Sequence, residues 1–385
     1  MKICILTASH DVSDERVFGR EALSLKNGGY DDIILIAPHD KEYEEIGGIK
    51  VLGFKKRGIF PTLRKFVLLK DLYKKALQCK ADAYHCHEPH TLAIGTWIKK
   101  KTGAKVIYDS HEYHPEQFAE RFPPLIRQLV YILVYAMERY YARRADCVLT
   151  VCSELVERFR AWGCKAYLLP NYARNYESLY YADDPIVSRL KREGFTVGIF
   201  AGGMYKERGI FELIEAARIL KERGLKVSMV FAGWGSSSFL RKVEKCIKHN
   251  CLDDRIKIVE KKDHRSIINM MSQCDFGFIN DYPEKRNLNS IAVKVFEYMM
   301  CSLPIYASNL PLNSRVVDEL CCGVTADPLV PERIADSLER LCSSREYMKG
   351  LGENSRKAFE TRYNWQIVEG MLIGCYRNLE GGKDV

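Results

Sequence analysis

Short runs of apolar residues alternate along almost the whole chain with longer stretches in which apolar positions recur every three or four residues. Continuous apolar runs bounded by turn residues are typical of strands buried on both faces, and the helical repeat is typical of helices that cover such strands. The alternation therefore predicts an α/β protein whose parallel sheets are flanked by helices.

The predicted strands fall into two series, separated by a polar, tyrosine-rich stretch at residues 171–194. The first series is KICILTA, DIILIAP, IKVLGF, ADAYHCH, AKVIYDS, CVLTVC and AYLLP, and the second is TVGIFAG, KVSMVFAG, RIKIVE, FGFIN, LPIYAS and GVTAD. The predicted helices include residues 14–26, 63–77, 125–143, 210–223 and 290–300. Ser13 is a suitable N-cap for the first helix, which Gly28 and Gly29 would end.

Two such series predict two domains, because 385 residues exceed the size at which a single core usually stops growing. We place one Rossmann-like domain at residues 1–172, a linker at 173–185 and a second Rossmann-like domain at 186–364. The expected architecture is two doubly wound domains that face each other across a cleft.

Composition is that of a water-soluble globular protein, with 47% apolar and 28% charged residues. The first residues resemble a strand and lack the charged start and the cleavage site of a signal peptide. The longest uncharged apolar run between residues 125 and 145, from Leu129 to Met137, is far too short to span a membrane. The 14 cysteines lack zinc-ligand spacing and are interpreted as reduced thiols, so a cytoplasmic location is expected.

The net charge of +9 is unevenly spread, and two segments of the first domain stand out. Residues 55–80 carry nine basic residues and one acidic residue among large apolar side chains, and residues 125–144 are apolar and tyrosine-rich with arginines at their end. Basic amphipathic helices of this kind bind anionic membrane surfaces, whereas the alternative is a solvated face on helices that pack against the core. Nucleic-acid binding is disfavoured, because these residues form no known reader module.

Ligands of doubly wound domains bind at the carboxyl ends of the strands, so the loops that leave the strands should carry the chemistry. In the second domain these loops include GGMYKERG, residues 202–209, and AGWGS, residues 232–236. Glycines let the backbone approach a phosphate, and Arg208 can neutralise it. In the first domain, HCHEPHT and YDSHEYHPE bring histidines to adjacent strand ends, which suits acid–base or hydrogen-bonding roles better than a metal site.

The predicted helix at residues 290–300 carries Lys294 and Glu297 on one face among apolar neighbours. Burying an unpaired charge is costly, so either the two side chains neutralise each other or a ligand uses them. The pattern of residues leaves both interpretations open.

Together these motifs resemble the GT-B glycosyltransferases, and within them the retaining, nucleotide-sugar-dependent enzymes of family 4. The resemblance extends over nearly the whole chain, and its most specific parts are KVFEYMMCSLPIYAS and VIYDSHEYHPE. It implies that the acceptor binds the first domain and the nucleotide sugar the second. It also implies that a C-terminal helix, at about residues 365–385, returns to the first domain.

The resemblance implies roles for individual residues. Glu297 would bind the ribose hydroxyls, His111 the donor sugar near its anomeric carbon, and Arg208 and Lys294 the diphosphate. The remaining donor-side residues would be Gly202, Gly203, Asn289, Ser290, Ile291, Ala292 and Val293, and the acceptor-side candidates are His10, Asp14, Arg16, His87 and Glu112. An alternative for Asp14 and Arg16 is a helix-start carboxylate with its ion-pair partner.

The sequence departs from the family pattern at two of these positions. The family usually has a glutamate at the position of Asn289, which contacts hydroxyls of the donor sugar, and a cation near the diphosphate at the position of Gly203. These departures leave the identity of the sugar open, and they also allow a member of the family that has lost activity.

The implied reaction is transfer of a hexosyl group from a nucleotide diphosphate sugar, with UDP favoured, to an alcohol acceptor such as a lipid-linked saccharide, with retention of configuration. No cofactor and no divalent metal are expected, in keeping with the lack of a DxD triplet at a strand end. Docking of the basic segments on the inner face of the membrane would bring the protein to its acceptor. The alternatives are a nucleotide-sugar epimerase on the same fold and a binding scaffold without catalysis.

Overall fold

The protein is described by a computed structural model, which covers residues 1–55, 61–176, 178–260, 263–288 and 291–381, with the backbone alone at 61–68, 285 and 286. The chain divides into two compact units, Met1–Asn171 with Val368–Val385, and Tyr172–Ile367. Residues 173–185, predicted as a linker, therefore fall within the second unit.

The first unit contains a sheet whose strands are all parallel except at one edge. Its strands are β1 (Ile3–Leu6), β2 (Ile33–Pro38), β3 (Tyr43–Ile46), β4 (Ile49–Phe54), β5 (Ala83–Cys86), β6 (Lys105–Ser110), β7 (Cys147–Thr150) and β8 (Ala166–Leu168). Their order is β3-β4-β2-β1-β5-β6-β7-β8, with β3 antiparallel to β4. The central strands β1 and β2 are buried along their whole length, because each is an uninterrupted apolar run.

Helices connect the strands of this sheet, and the first of them begins differently from the prediction. They are a π-helix (Glu15–Ala22) continuing into α1 (Leu23–Asn27), then α2 (Pro61–Cys79), α3 (Pro89–Thr102), α4 (His114–Glu120), α5 (Pro124–Ala142) and α6 (Ser153–Ala161). The predicted N-cap Ser13 is wrong: Asp14 Oδ1 accepts the backbone N–H groups of Arg16 and Val17, each at 2.9 Å. The Ser13 hydroxyl instead donates to Asp11.

The second unit contains a parallel sheet of six strands. They are β9 (Thr196–Gly203), β10 (Val227–Trp234), β11 (Ile256–Glu260), β12 (Phe276–Ile279), β13 (Ile305–Ser308) and β14 (Gly323–Ala326), in the order β11-β10-β9-β12-β13-β14. The helices are α7 (Pro185–Arg192), a 3₁₀ turn (Lys206–Arg208), α8 (Ile210–Glu222), α9 (Ser237–His249), α10 (His264–Met271), α11 (Lys285–Leu288), α12 (Val293–Met300), α13 (Pro311–Glu319), α14 (Pro331–Leu341), α15 (Arg345–Thr361) and α16 (Trp365–Leu379). The last helix begins in the second unit and ends in the first.

The strand order reverses beside β1 in the first sheet and beside β9 in the second. At each of these positions the connections from two neighbouring strands run in opposite directions along the sheet, which leaves a crevice between them. The predicted fold class, two Rossmann-like α/β domains, is confirmed. Every predicted strand is present, and the structure adds β3, whose sequence YEEI is charged and alternates between exposed and half-buried positions. The helix predicted at residues 290–300 begins only at Val293.

The hydrophobicity of the helices and the state of the cysteines can be compared with the expectations from composition. Across the described ranges, no helix has both the length and the apolar character needed to cross a bilayer. All 14 cysteines lie in described segments, where each is a free thiol and most are buried.

Candidate active site

A buried glutamate holds the loop that follows β1 at the crevice of the first sheet. Glu88, the residue before α3, accepts hydrogen bonds from the Thr7 hydroxyl at 2.6 Å and from the Ser9 backbone N–H at 3.0 Å. Burial favours its neutral form, but the charge of His90 and the bond from Thr7 outweigh burial and lower the pKa of Glu88 to about 2. The ionised carboxylate thereby anchors the loop that carries His10.

Two histidines meet where the loops after β1 and β6 approach each other. The Nε2 atoms of His10 and His111 are 3.1 Å apart. On the outer sides, His10 Nδ1 lies 2.8 Å from Asp14 Oδ2 and His111 Nδ1 lies 3.0 Å from Asp109 Oδ2. An ionised carboxylate only accepts hydrogen bonds, so both Nδ1 atoms carry protons. The two Nε2 atoms must then share a single proton.

The shared proton belongs to His10. Burial alone would lower the pKa of His10, but the hydrogen bond and the charge of Asp14 raise this pKa to about 9. The same pairing lowers the pKa of Asp14 in spite of its burial. At neutral pH His10 is therefore a cation that donates to Asp14 and to His111, and His111 accepts at Nε2.

Asp109, fully buried at β6, is the centre of a network behind this pair. It accepts from Arg16 Nε at 2.8 Å and Nη2 at 2.7 Å, and it contacts His87 Nδ1 at 3.1 Å. Arg16 and His87, predicted on the acceptor side, are 4% and 0% exposed. Arg16 thus pairs with a residue 93 positions away rather than with Asp14. Any influence of Arg16 and His87 on an acceptor would have to pass through Asp109 and His111.

A second group of buried polar atoms lies on the other side of Arg16. Glu21 Oε1 is 2.9 Å from Arg16 Nε, and Glu21 Oε2 is 3.3 Å from His85 Nε2 and 3.7 Å from His87 Nε2. Among the described residues, none forms a well-aligned hydrogen bond with either Glu21 oxygen. Burial, and then the charge of Asp109, raises the pKa of Glu21, whereas burial lowers the pKa of both histidines.

One added positive charge would neutralise this cluster, in which Arg16 faces two carboxylates. Glu21, His85, His87 and Asp109 have the ligand atoms and the proximity to hold a metal ion. However, the guanidinium of Arg16 is in direct contact with Glu21 and would repel a second cation. A proton on Glu21 balances the charges without that repulsion, and it is the state that the raised pKa of Glu21 favours.

Three of the acceptor-side candidates can meet a molecule from solvent. The side chains of His10, Asp14 and Glu112 are 22%, 25% and 41% exposed, respectively. Glu112 lies 4.0 Å from His114 Nδ1, and burial lowers the pKa of His114 to about 3, so this histidine is neutral. The accessible side chains among the predicted acceptor-side residues are therefore two carboxylates and one histidine cation.

The crevice of the second sheet is built from glycine backbone. Gly202, near the end of β9, has a φ of +140°, and a Cβ at this position would lie 3.4 Å from Lys294 Cε. On the neighbouring strand β10, a Cβ on Gly233 would lie 1.8 Å from the carbonyl oxygen of Gly202. The strand ends can therefore come this close only because residue 233 is a glycine, whereas glycine at position 202 is favoured by its φ, and Lys294 lies beside it. Gly203 is the last residue of β9 and pairs with Trp234.

Arg208 follows in the 3₁₀ turn and is already engaged. Its Nη1 lies 2.6 Å from both carboxylate oxygens of Asp281, a buried residue two positions beyond β12. Burial opposes its charged form, but the charge of Asp281 outweighs burial and raises the pKa of Arg208. An anion approaching Arg208 thus meets a partly neutralised cation. Sequence reasoning missed Asp281, although an acidic residue just after a buried strand is a signal that could have found it.

Glu297 is almost fully buried on α12 and has two charged or polar partners. Lys294 Nζ lies 3.5 Å from Glu297 Oε2, and His264 Nε2 lies 2.8 Å from Glu297 Oε1. The Glu297 side chain is 6% exposed, whereas those of Lys294 and His264 are each 31% exposed. Lys294 and Glu297 therefore do pair with each other. His264 was missed, because nothing in the sequence near residue 264 relates it to α12.

The remaining donor-side candidates lie around the start of α12. Val293 is its first residue, Ala292 is its N-cap in an extended conformation, and Ile291 packs against the core of the second unit. The backbone N–H groups of the first helical turn are the ones that a helix offers to anions. Asn289 and Ser290, also predicted here, lie outside the described residues.

Comparison with protein families gives two adjacent matches. The family described as glycosyl transferase 4-like domain matches residues 16–171, and the family described as glycosyl transferases group 1 matches residues 185–358. The two matches together cover most of the chain, and the first begins just after the loop that carries His10 and Asp14.

Individual relatives are distant. Alpha-D-kanosaminyltransferase of Streptomyces kanamyceticus is 25% identical over 47% of this chain and 45% of its own, and spore coat protein SA of Bacillus subtilis is 27% identical over 51% and 52%. The chain thus spans about half the length of these curated relatives. The putative glycosyltransferase EpsD of Bacillus subtilis is 22% identical over 78% of both chains.

Solved structures share the fold over the full chain. Sucrose-phosphate synthase from Thermosynechococcus elongatus has a TM-score of 0.77 at 16% identity and covers 99% of this chain and 100% of its own. HepE of Anabaena, solved in complex with UDP-glucose, has a TM-score of 0.73 at 15% identity with the same coverage.

Proposed function

The chain belongs to the GT-B glycosyltransferases and is similar to their family 4, and we propose that it transfers a hexosyl group from a nucleotide diphosphate sugar to an alcohol acceptor. The observation that carries this proposal is the grouping of Gly202, Lys294 and Glu297 in the second unit. A glycine backbone that admits a phosphate, a cation beside it and a buried carboxylate on the same helix are the parts that a nucleoside diphosphate requires.

In this proposal the nucleotide binds along α12. Glu297 accepts hydrogen bonds from the two ribose hydroxyls, since a carboxylate offers two oxygens to a vicinal diol. Lys294 and the first N–H groups of α12 face the diphosphate. Arg208 adds positive charge, although its pairing with Asp281 neutralises part of that charge. UDP is the favoured nucleotide, and the support is that a protein of the same fold, HepE of Anabaena, was solved with UDP-glucose.

Cleavage of the donor leaves negative charge on the diphosphate and an oxocarbenium-like sugar. Lys294, Arg208 and the amides of Gly202 and Gly203 are the groups that would stabilise the leaving phosphate. No carboxylate nucleophile is assigned, because in the proposed retaining reaction the leaving phosphate takes the proton of the acceptor. In this proposal the cationic side chains stabilise the leaving diphosphate, a role that a divalent metal has in other enzymes. Unchanged turnover in EDTA would support this.

His111 is the proposed contact to the donor sugar, and the acceptor side would be formed by His10, Asp14 and Glu112. The hydrogen bond from His10 and the contact with Asp109 fix which nitrogen of His111 carries a proton. Both ring nitrogens of His111 are already engaged, so a hydroxyl of the donor sugar would have to take the place of His10 at Nε2, the atom that this tautomer leaves as an acceptor.

The experiment is a thermal-shift panel with UDP, GDP, CDP and ADP, followed by the sugars of the nucleotide that binds. One nucleotide should raise Tm selectively in the wild type and in Glu244→Ala, an exposed control on α9, but not in Glu297→Ala. Absence of a shift with every nucleotide would contradict the proposal and favour the alternative of a binding scaffold without catalysis. The pairing of Arg208 with Asp281 is the observation that keeps this alternative in view.

We further propose that α5 docks the protein on an anionic membrane, where a lipid-linked saccharide acceptor would be found. Leu125, Leu129 and Leu133 are 95%, 59% and 60% exposed, which is unusual for large apolar residues on one helix. A surface cavity of about 690 Å³ at the end of this helix is lined in part by Arg139, Arg143 and Arg144, which suit an anionic headgroup.

Co-sedimentation with vesicles of phosphatidylcholine and phosphatidylglycerol tests the docking. The wild type and Leu329→Glu, a control at an exposed leucine of the second unit, should bind at low salt, and Leu129→Glu combined with Leu133→Glu should not. Docking through α5 would be refuted if all three proteins were recovered equally in the vesicle pellet, or if none of the three were recovered there.

A further inference from the structure

The buried carboxylate of Glu297 is the end of a chain of three side chains. His264 Nε2 lies 2.8 Å from Glu297 Oε1, and the other ring nitrogen of His264, Nδ1, lies 3.0 Å from the hydroxyl of Tyr176. Tyr176 belongs to the segment before α7, and His264 opens α10. These two hydrogen bonds therefore connect three separate parts of the second unit.

The direction of the bond to Glu297 follows from the chemistry of the groups. An ionised carboxylate can only accept, so His264 donates from Nε2. The hydrogen bond between Nδ1 and the Tyr176 hydroxyl holds the other side of the ring, whether the imidazole is neutral or protonated. Tyr176 thus fixes the orientation in which His264 donates to Glu297.

The fold fixes the place of His264 and brings it close to any ligand of Glu297. Asp263 is the N-cap of α10 and accepts the Ser266 backbone N–H at 3.0 Å, so a helix start sets the position of the ring. The Glu297 side chain is 6% exposed, whereas that of His264 is 31% exposed. A ligand that bonds to Glu297 must therefore come close to His264 as well.

We propose that His264 is a positioning residue for nucleoside recognition: backed by Tyr176, it fixes the plane of the Glu297 carboxylate so that both hydroxyls of a ribose can donate to it. This inference rests on the proposed function and adds to it the residues that select ribose over deoxyribose. His264 acts through Glu297 and takes no part in sugar transfer.

Calorimetric titration with UDP and with 2′-deoxy-UDP tests the proposal on the full chain. The wild type should prefer UDP. His264→Ala should weaken UDP binding about tenfold, the loss expected for one hydrogen bond to a charged group, and should weaken 2′-deoxy-UDP binding less. His264→Gln keeps an N–H donor at the distance of Nε2 and should recover most of the preference. Tyr176→Phe should lose less of it than His264→Ala.

A double-mutant cycle separates positioning from a merely structural role. In a Glu297→Ala background, whose weakened UDP binding is followed at higher UDP concentrations than the thermal-shift panel uses, His264→Ala should change UDP binding no further, because its effect passes through the missing carboxylate. His249→Ala removes an exposed histidine at the end of α9 and should bind both nucleotides like the wild type. Thermal unfolding of each variant verifies that it is folded.

The outcomes distinguish this inference from the proposed function. Equal weakening of UDP and 2′-deoxy-UDP by His264→Ala, or a further loss in the Glu297→Ala background, would overturn the positioning role and leave the proposed function standing. If the wild type binds none of UDP, GDP, CDP and ADP, the proposed function falls, and the inference falls with it.

Discussion

The two crevices occupy the same place in two similar sheets, yet they are built from different chemistry. In the first unit, Asp109 at the end of β6 is surrounded by Arg16, His87 and His111, all buried or nearly so. In the second unit the strand ends are glycines, and the charges of Lys294 and Arg208 reach solvent. The first arrangement fixes where protons are, and the second leaves room for an anion.

The difference predicts how each crevice responds to mutation. A buried network of charges tolerates little change, because each group left without its partner retains the full cost of desolvation. A glycine backbone is sensitive instead to conformation and to the volume of a side chain. The predictions below test this contrast, from the largest expected effect to the smallest.

Arg16→Met should have the largest effect on stability. It leaves the ionised Asp109 without its guanidinium partner in a site that water does not reach, and breaking a buried pair in this way costs about 3–5 kcal/mol. Urea denaturation measures the free energy of unfolding. Arg189→Met, which removes an exposed pair with Glu193, is the control and should cost less than about 1 kcal/mol. Equal costs for the two variants would mean that the network is not desolvated.

The pair of His10 and Asp14 should make stability depend on pH. Because the pKa of His10 rises from 6.5 in the unfolded chain to about 9 in the folded one, its contribution is complete below pH 6.5 and is lost as the pH rises through 9. The shift corresponds to about 3 kcal/mol, counted once for the pair.

Unfolding free energies at pH 6 and at pH 9.5 measure this contribution. The decrease between the two values should be larger in the wild type and in the exposed control His249→Ala than in His10→Asn. A decrease of the same size in His10→Asn would show that another group is responsible.

Gly202→Ala should have a smaller effect on stability but should abolish nucleotide binding. Its φ of +140° is strained for alanine by about 1–3 kcal/mol, and the new methyl group would occupy space beside Lys294, 3.4 Å from its Cε, where the phosphate is proposed to bind. Gly350→Ala, in the middle of α15 with no atom near its would-be Cβ, is the matched control and should stabilise the protein by about 0.5–1 kcal/mol. Retained UDP binding in Gly202→Ala would exclude the glycine turn from the phosphate site.

Sequence reasoning predicted the strands well because a buried parallel strand is a local, continuous apolar run, as in β1 and β9. It missed β3, since an exposed edge strand with the sequence YEEI has no such run. It placed the first N-cap one residue early, because Ser13 and Asp14 are both good caps and only the fold decides between them.

The sequence indicated which loops carry the candidate residues, but not which side chains these residues form hydrogen bonds with. His10, His111, Lys294 and Glu297 could be singled out as candidates because they follow strands or interrupt an apolar helix. Their partners Asp109 and His264 were not singled out, since hydrogen bonds that join distant segments leave no periodic signal in the sequence. The burial of Arg16 and His87 likewise depends on packing that only the three-dimensional structure reveals.

The central claim is a division of labour, in which the second unit binds the nucleotide and His111 of the first unit serves sugar transfer. The most direct measurement is UDP affinity and sugar turnover, side by side, for His111→Ala and Glu297→Ala. The account predicts that His111→Ala binds UDP within about twofold of the wild type but loses at least about a hundredfold in turnover, whereas Glu297→Ala loses affinity. Lost UDP affinity with normal turnover in His111→Ala would contradict it.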